Sequence, residues 1–129
     1  MILRNLNLKE KIAIVKSLIS IAGEDAHLSP SESRYLGMLL LKMGEDGSFW
    51  NHIDDVSNDE AIRILRNLSY DDKQDLVYLW VEMATKSRGD MSGVFRINNL
   101  SDGKNTIISL ARTCNIDIDI HKEYTYYNF

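Results

Sequence analysis

The sequence predicts an all-α fold: a compact bundle of about five to seven helices with a short extended C-terminal tail. Three observations lead there. Five apolar stripes recur at helical spacing, several are preceded by N-terminal capping signals, and no pair of segments reads as two partnered strands.

The first helix is expected from Leu8 to Ala22. Leu8, Ile12, Val15, Ile19 and Ala22 repeat at helical intervals, and Asn7 with Glu10 forms a capping box. Ile14, Leu18 and Ile21 widen the apolar surface beyond one stripe, which places this helix at the centre of the core. The second helix opens at Ser29-Pro30-Ser31-Glu32, which supplies a cap, a proline in the first turn and a glutamate reaching back. Leu36, Leu39, Leu40 and Met43 carry it, and Gly44 is the expected left-handed stop. Glu45 to Ser48 reads as a turn, after which Phe49-Trp50 returns the chain to the core through a short helix.

Ser57 and Glu60 form another capping-box pattern ahead of a short helix carrying Ala61, Ile62, Leu65 and Leu68. Ser69 caps the longest helix, with Asp71 and Asp72 in its first turn, where the helix dipole favours acids. Leu76, Leu79, Trp80 and Met83 form its stripe, and it should end near Lys86. Residues 86 to 101 are a polar connection interrupted by Val94-Phe95-Arg96-Ile97. The last helix begins after Ser101 and carries Ile107, Leu110, Ala111 and Cys114. Ile116, Ile118 and Ile120 then alternate with Asp117 and Asp119, the period of an extended segment. Helices that follow one another are expected to pack as antiparallel neighbours across short loops.

The chain has 129 residues, the size of one domain, and no linker-like stretch divides it. With 44% apolar and 26% charged residues it lies outside the disordered and low-complexity classes. Fifteen Lys and Arg stand against 19 Asp and Glu, a net charge of −4 that argues against nucleic-acid binding. One cysteine, Cys114, cannot form an internal disulfide. No run has the length of a membrane span and no leader pattern opens the chain, so a cytoplasmic protein with no membrane insertion is expected.

The two halves share a faint two-fold organisation of long apolar helix, polar loop and amphipathic helix. The first loop reads Ala22-Gly23-Glu24-Asp25-Ala26-His27-Leu28-Ser29-Pro30-Ser31-Glu32. It resembles the TerB-like family, named for a tellurite-resistance protein, whose hallmark is Ala-x-x-Asp-Gly-x-aliphatic-x-x-x-Glu between two helices. Ala22, Asp25, Leu28 and Glu32 fall on that pattern, and Trp80-Val81-Glu82-Met83-Ala84 looks like the family's second long helix. The likeness covers about residues 8 to 116. It implies a helical bundle with two acidic loops facing one another at one end. Ala26 stands where the family has glycine, and Ser87 where the second loop would have aspartate, so only the first acidic loop is intact.

That loop is the first candidate site. Asp25 and Glu32, with Glu24 as a further ligand, supply hard oxygen donors for a divalent cation, calcium or magnesium. The competing reading gives Glu32 to the capping box and Asp25 to the dipole of the second helix. His27 either adds a nitrogen ligand or lies in solvent. Cys114 reads as a buried cysteine, because no histidine is placed to activate it. The tail aromatics Tyr124, Tyr126, Tyr127 and Phe129 either fold back onto the bundle or present a surface for a partner or a second copy.

Charge is unevenly spread. Between Lys42 and Arg63 lie Glu45, Asp46, Asp54, Asp55, Asp59 and Glu60 with no Lys or Arg, whereas residues 1 to 22 carry Arg4, Lys9, Lys11 and Lys16 against Glu10. Such an asymmetry either orients a partner or is solvated surface. No catalytic constellation is visible. The expected function is a non-enzymatic interaction or scaffold module with a protein partner or self-association, and the resemblance implies stress-response or membrane-associated assemblies. The alternative is a cation sensor or sequestration protein using Asp25 and Glu32.

Overall fold

The computed structural model describes residues 4–23, 28–87 and 93–125. It is all-α over those residues, with no strand beyond one isolated bridge. The first helix (α1) runs Leu8–Ala22. The Glu10 N–H donates to Asn7 Oδ1 at 2.8 Å and the Asn7 N–H to Glu10 Oε1 at 3.0 Å, closing the predicted box. Ile12, Ala13, Ile14, Val15, Ser17, Leu18 and Ile21 are all buried, which leaves little of the circumference for water.

The second helix (α2), Pro30–Lys42, starts with a second complete box: Glu32 N–H to Ser29 Oγ at 3.1 Å and Ser29 N–H to Glu32 Oε1 at 2.7 Å. Gly44 ends it at φ +78°, and the Glu45 N–H reaches back to the Leu40 carbonyl at 2.8 Å. This six-to-one closure uses the left-handed freedom of glycine. A 3-10 segment, Gly47–Asp55, then drives Phe49 into the core, as expected of the short return.

The third helix (α3), Asn58–Arg66, has half of its predicted box. Ser57 Oγ accepts from the Glu60 N–H at 3.1 Å, but the Glu60 carboxylate accepts from Lys9 Nζ at 2.9 Å. An ion pair with α1 has outcompeted the reciprocal cap. The fourth helix (α4), Tyr70–Ser87, is the longest, and Ser69 Oγ accepts from the Asp72 N–H at 3.1 Å at its start. After a 3-10 turn at Ile97–Asn99, the fifth helix (α5) spans Lys104–Thr113. Its first residue follows Gly103 at φ +77°, where an added Cβ would lie 3.0 Å from Ala84 Cβ. Both the turn and the close approach to α4 therefore exclude a side chain.

Sequence order and spatial order differ. The expectation that successive helices pack across short loops is not met: α4 contacts α5 across the long 88–103 connection, α1 lies chiefly against α3 and α4, and α2 lies against α4. The reason is visible in α4: Leu76, Val77, Leu79, Trp80, Val81, Met83 and Ala84 are each 1% exposed or less. Their side chains surround the helix, so it needs several neighbours rather than one.

The C-terminal segment folds back. Asn115, at φ +55°, ends α5 in the left-handed region, with the Ile116 N–H bonded to the Ala111 carbonyl at 2.8 Å. Ile116 is buried, and Ile118 and Ile120 pack partly against the core. Phe95 and Tyr124 then exchange both backbone hydrogen bonds, at 2.8 and 2.7 Å, as an antiparallel bridge. The expectation of one continuous extended tail is corrected: a turn at residues 120–122, closed by the Lys122 N–H on the Asp119 carbonyl at 3.1 Å, breaks the run, because Asp119 caps it by accepting the His121 N–H at 2.9 Å.

Candidate functional site

Glu24, Asp25 and His27 lie outside the described residues, as do Tyr126, Tyr127 and Phe129. Glu32, the described member of the acidic loop, is 4% exposed and its carboxylate accepts the Ser29 N–H. Its capping role is therefore realised. Among the described residues no group of three His, Cys, Asp or Glu side chains is arranged to hold a metal.

One turn further along α2, Tyr35 reaches α4. Its hydroxyl donates a short hydrogen bond to Glu82 Oε2, and both residues are buried. Thr85 Oγ1 donates to the Glu82 carbonyl at 2.7 Å, and Lys86 Nζ stands 5.8 Å from the centre of the Tyr35 ring. Glu32, Tyr35, Glu82, Thr85 and Lys86 thus make the contact between these two helices unusually polar. A carboxylate stays in such a place only when hydrogen bonds replace its water. Sequence reasoning missed Tyr35 and Glu82. The available signal was an acid inside the apolar run Leu76 to Ala84.

A second buried polar contact faces α1. Trp80 Nε1 donates to Ser17 Oγ at 2.9 Å, and Ser17 Oγ donates to the Ile14 carbonyl at 2.7 Å. Ser17, on the buried face of α1, accepts the indole proton. This is a structural role rather than a chemical one.

Tyr124 is the tail aromatic whose position is described, and it folds back. It is 1% exposed and meets Tyr78 edge-to-face, ring centres 4.8 Å apart. Lys122 Nζ lies 5.2 Å from both ring centres, within cation–π range. The Tyr124 hydroxyl has no hydrogen-bond partner among the described residues. Burial, reinforced by Tyr78 and Asp119, pushes its pKa up to about 12.

Cys114 is fully buried, and burial pushes its thiol up against the opposing pull of Arg66 and Lys73. His52 Nδ1 lies 3.0 Å from Asp55 Oδ2 on the exposed 3-10 segment. Asp46 is held below the usual carboxylate range by the Ser48 hydroxyl and then the Ser48 N–H. The charge asymmetry is partly consumed inside the molecule: Lys9 pairs with Glu60 at 2.9 Å and Lys11 with Glu45 at 2.8 Å. Basic α1 and the acidic segment are thus partners of one another.

Apolar side chains do remain in solvent. On α2, Met38 and Leu41 are 39% and 74% exposed, opposite the buried Tyr35, Leu36, Leu39 and Leu40. No helix among the described residues is long and apolar enough to cross a membrane. The chain matches no known protein family, no curated protein and no solved structure.

Proposed function

We propose that the chain is a cytoplasmic, non-enzymatic interaction or scaffold module of the TerB-like type, working in stress-response or membrane-associated complexes. The outer face of α2 carries this reading. Met38 and Leu41 lie one turn apart beside Gly37, whose Cβ position is open, on a helix that packs its other face on α4. A single exposed leucine is ordinary, but a paired apolar strip on an edge helix gives a partner helix something to cover. The TerB-like part of the reading rests on the first-loop residues Ala22, Asp25, Leu28 and Glu32 of the sequence.

The test is a photo-crosslinking amino acid at Leu41 in the full chain, irradiated in native extract and by itself. A discrete product that disappears with Met38→Asp, in a variant melting like its parent, is the expected result. No product, or one indifferent to Met38→Asp, overturns the reading. A product formed by the purified chain alone assigns the face to self-association.

A second reading, binding of calcium or magnesium by Asp25, Glu32 and Glu24, draws on one observation. Glu32, which closes the acidic loop, keeps its carboxylate at a position only 4% exposed. At a hundred times its dissociation constant, an ion adds about 2.7 kcal/mol to the native state. Chelator-stripped protein should then melt several degrees higher with that ion, and Asp25→Ala should erase the shift. An unchanged melt overturns this reading and leaves the first untouched.

A further inference from the structure

A cleft of about 240 Å³ runs between α1 and α3, with Leu110 of α5 beside it. It exists because α1 presents Ala13, Ser17 and Ser20 at successive turns where α3 presents Ala61, so the helices approach closely and the space above the small side chains stays open. Ala61, Ile62, Leu65 and Leu110 make its surface mainly apolar. At about 30 Å³ of liquid volume per water, the cleft holds a molecule of roughly eight heavy atoms.

Its charge is one-sided. Lys16 is the sole charged residue in the lining, and no carboxylate contributes. Among the described residues, Lys9 and Lys11 pair with Glu60 and Glu45, Lys73 and Lys104 bond to Asn115 and Asn98, and Lys122 stacks on two tyrosines. Lys16, part-buried, has no such partner for its ammonium among the described residues. Asn58 adds an amide donor at the cleft. An apolar trough ending at an uncommitted cation matches a ligand with an apolar body and one anionic head.

We propose that the α1–α3 cleft binds a small amphipathic carboxylate, its aliphatic body on Ala61, Ile62, Leu65 and Leu110 and its carboxylate at the Lys16 ammonium. The cleft shares no lining residue with Met38, Leu41 or Glu32, so it stands or falls independently of both functional readings.

Hexanoate, with eight heavy atoms, is the probe, and hexan-1-ol and hexylamine are its neutral and cationic counterparts. Amide chemical shifts of the full chain are followed during titration with each. Hexanoate should give saturable shifts centred on Ala13, Lys16, Ser17, Ala61 and Ile62, and should bind more tightly than the alcohol or the amine. Lys16→Met, which removes the charge and nearly preserves the length of the stem, should weaken hexanoate about two- to five-fold, the worth of a part-exposed ion pair, and leave hexan-1-ol unchanged. Ser20→Leu, at an exposed position, should fill the cleft and remove both. An undisturbed spectrum away from the cleft verifies that each variant is folded. Shifts that do not saturate, shifts centred elsewhere, equal binding of hexylamine, or hexanoate affinity indifferent to both substitutions overturns the proposal.

Discussion

Helix α4 carries two buried polar contacts two residues apart, hence about 200° apart around the helix, and they are built from different chemistry. Toward α1, Trp80 gives its indole proton to Ser17, which passes its own to the Ile14 carbonyl. Every member is neutral and satisfied. Toward α2, the Tyr35 hydroxyl donates to Glu82, an acid only 3% exposed. The first contact sits inside a dense apolar interface and adds a hydrogen bond to it. The second holds an ionisable group in the interior, where its hydrogen-bond partners decide whether it is tolerated. Packing thus secures α1 to α4, whereas a polar contact helps to fix the register of α2, the helix with fewer neighbours.

The largest expected effect comes from removing the packing itself. Trp80→Ala should cost about 3–5 kcal/mol, the usual loss for truncating a buried large aromatic. That would lower the melting temperature by about 10 °C or more at this chain length. Thermal and urea unfolding would measure it. A loss near 1 kcal/mol would break the comparison, because packing would no longer dominate the α1 side.

The two hydrogen bonds can then be set against each other. Tyr35→Phe leaves the buried Glu82 carboxylate without its hydroxyl donor and should cost about 1.5–3 kcal/mol, the range for bonds to charged groups. Ser17→Ala leaves a neutral indole N–H without its acceptor and should cost about 1–2 kcal/mol. Urea midpoints at constant slope decide the order. If Ser17→Ala proves the more damaging, the acidic contact is not what holds α2.

This contrast also marks how far the sequence could be read. The helices were legible because their signals are local. Asn7 with Glu10 and Ser29-Pro30 with Glu32 close the predicted boxes, and Gly44 takes the predicted left-handed turn. Ser17 and Glu82 were not legible as buried polar groups. Their partners stand 63 and 47 residues away, and nothing in a local window distinguishes them from polar residues at the edge of an apolar stripe. The half-formed box at Ser57 has the same cause, since Lys9, 51 residues from Glu60, takes the carboxylate. Of the candidate site, Glu32 was legible as a cap, and the Phe95–Tyr124 pairing that buries one tail aromatic is again non-local.

Tyr124 sharpens the comparison by its opposite case. It is as buried as Tyr35, yet its hydroxyl finds no acceptor among the described residues. A buried hydroxyl without a hydrogen bond costs about 1–3 kcal/mol, so Tyr124→Phe should stabilise the fold by about 1 kcal/mol after small packing changes. The alkaline limb offers a second readout. The ordinary tyrosine pKa is about 10, and in the folded state that of Tyr124 lies at about 12. Above pH 10 the unfolded chain loses this proton while the folded chain keeps it, so stability falls as pH rises from 10 through 12. Tyr124→Phe should melt with a shallower decline over that window. Parallel declines would mean that the hydroxyl reaches water or an acceptor.

The smallest effect tests whether enclosure governs the surface ion pairs as it governs the interior. Lys11 and Glu45 are 15% and 23% exposed, whereas Lys9 and Glu60 are 62% and 30% exposed. Both tie α1 to the acidic half of the chain, but water and salt screen the second pair more. Lys11→Met should therefore cost about 1 kcal/mol and Lys9→Met about 0.3 kcal/mol, near the two ends of the range for such pairs. Between low salt and 1 M sodium chloride, the stability difference between each variant and the parent should shrink, and that for Lys9→Met should vanish. Equal costs would mean that the Lys11 stem, rather than its charge, fills the enclosed position, because methionine preserves most of that stem. Lys11→Ala, which removes stem and charge together, would then cost clearly more than Lys11→Met.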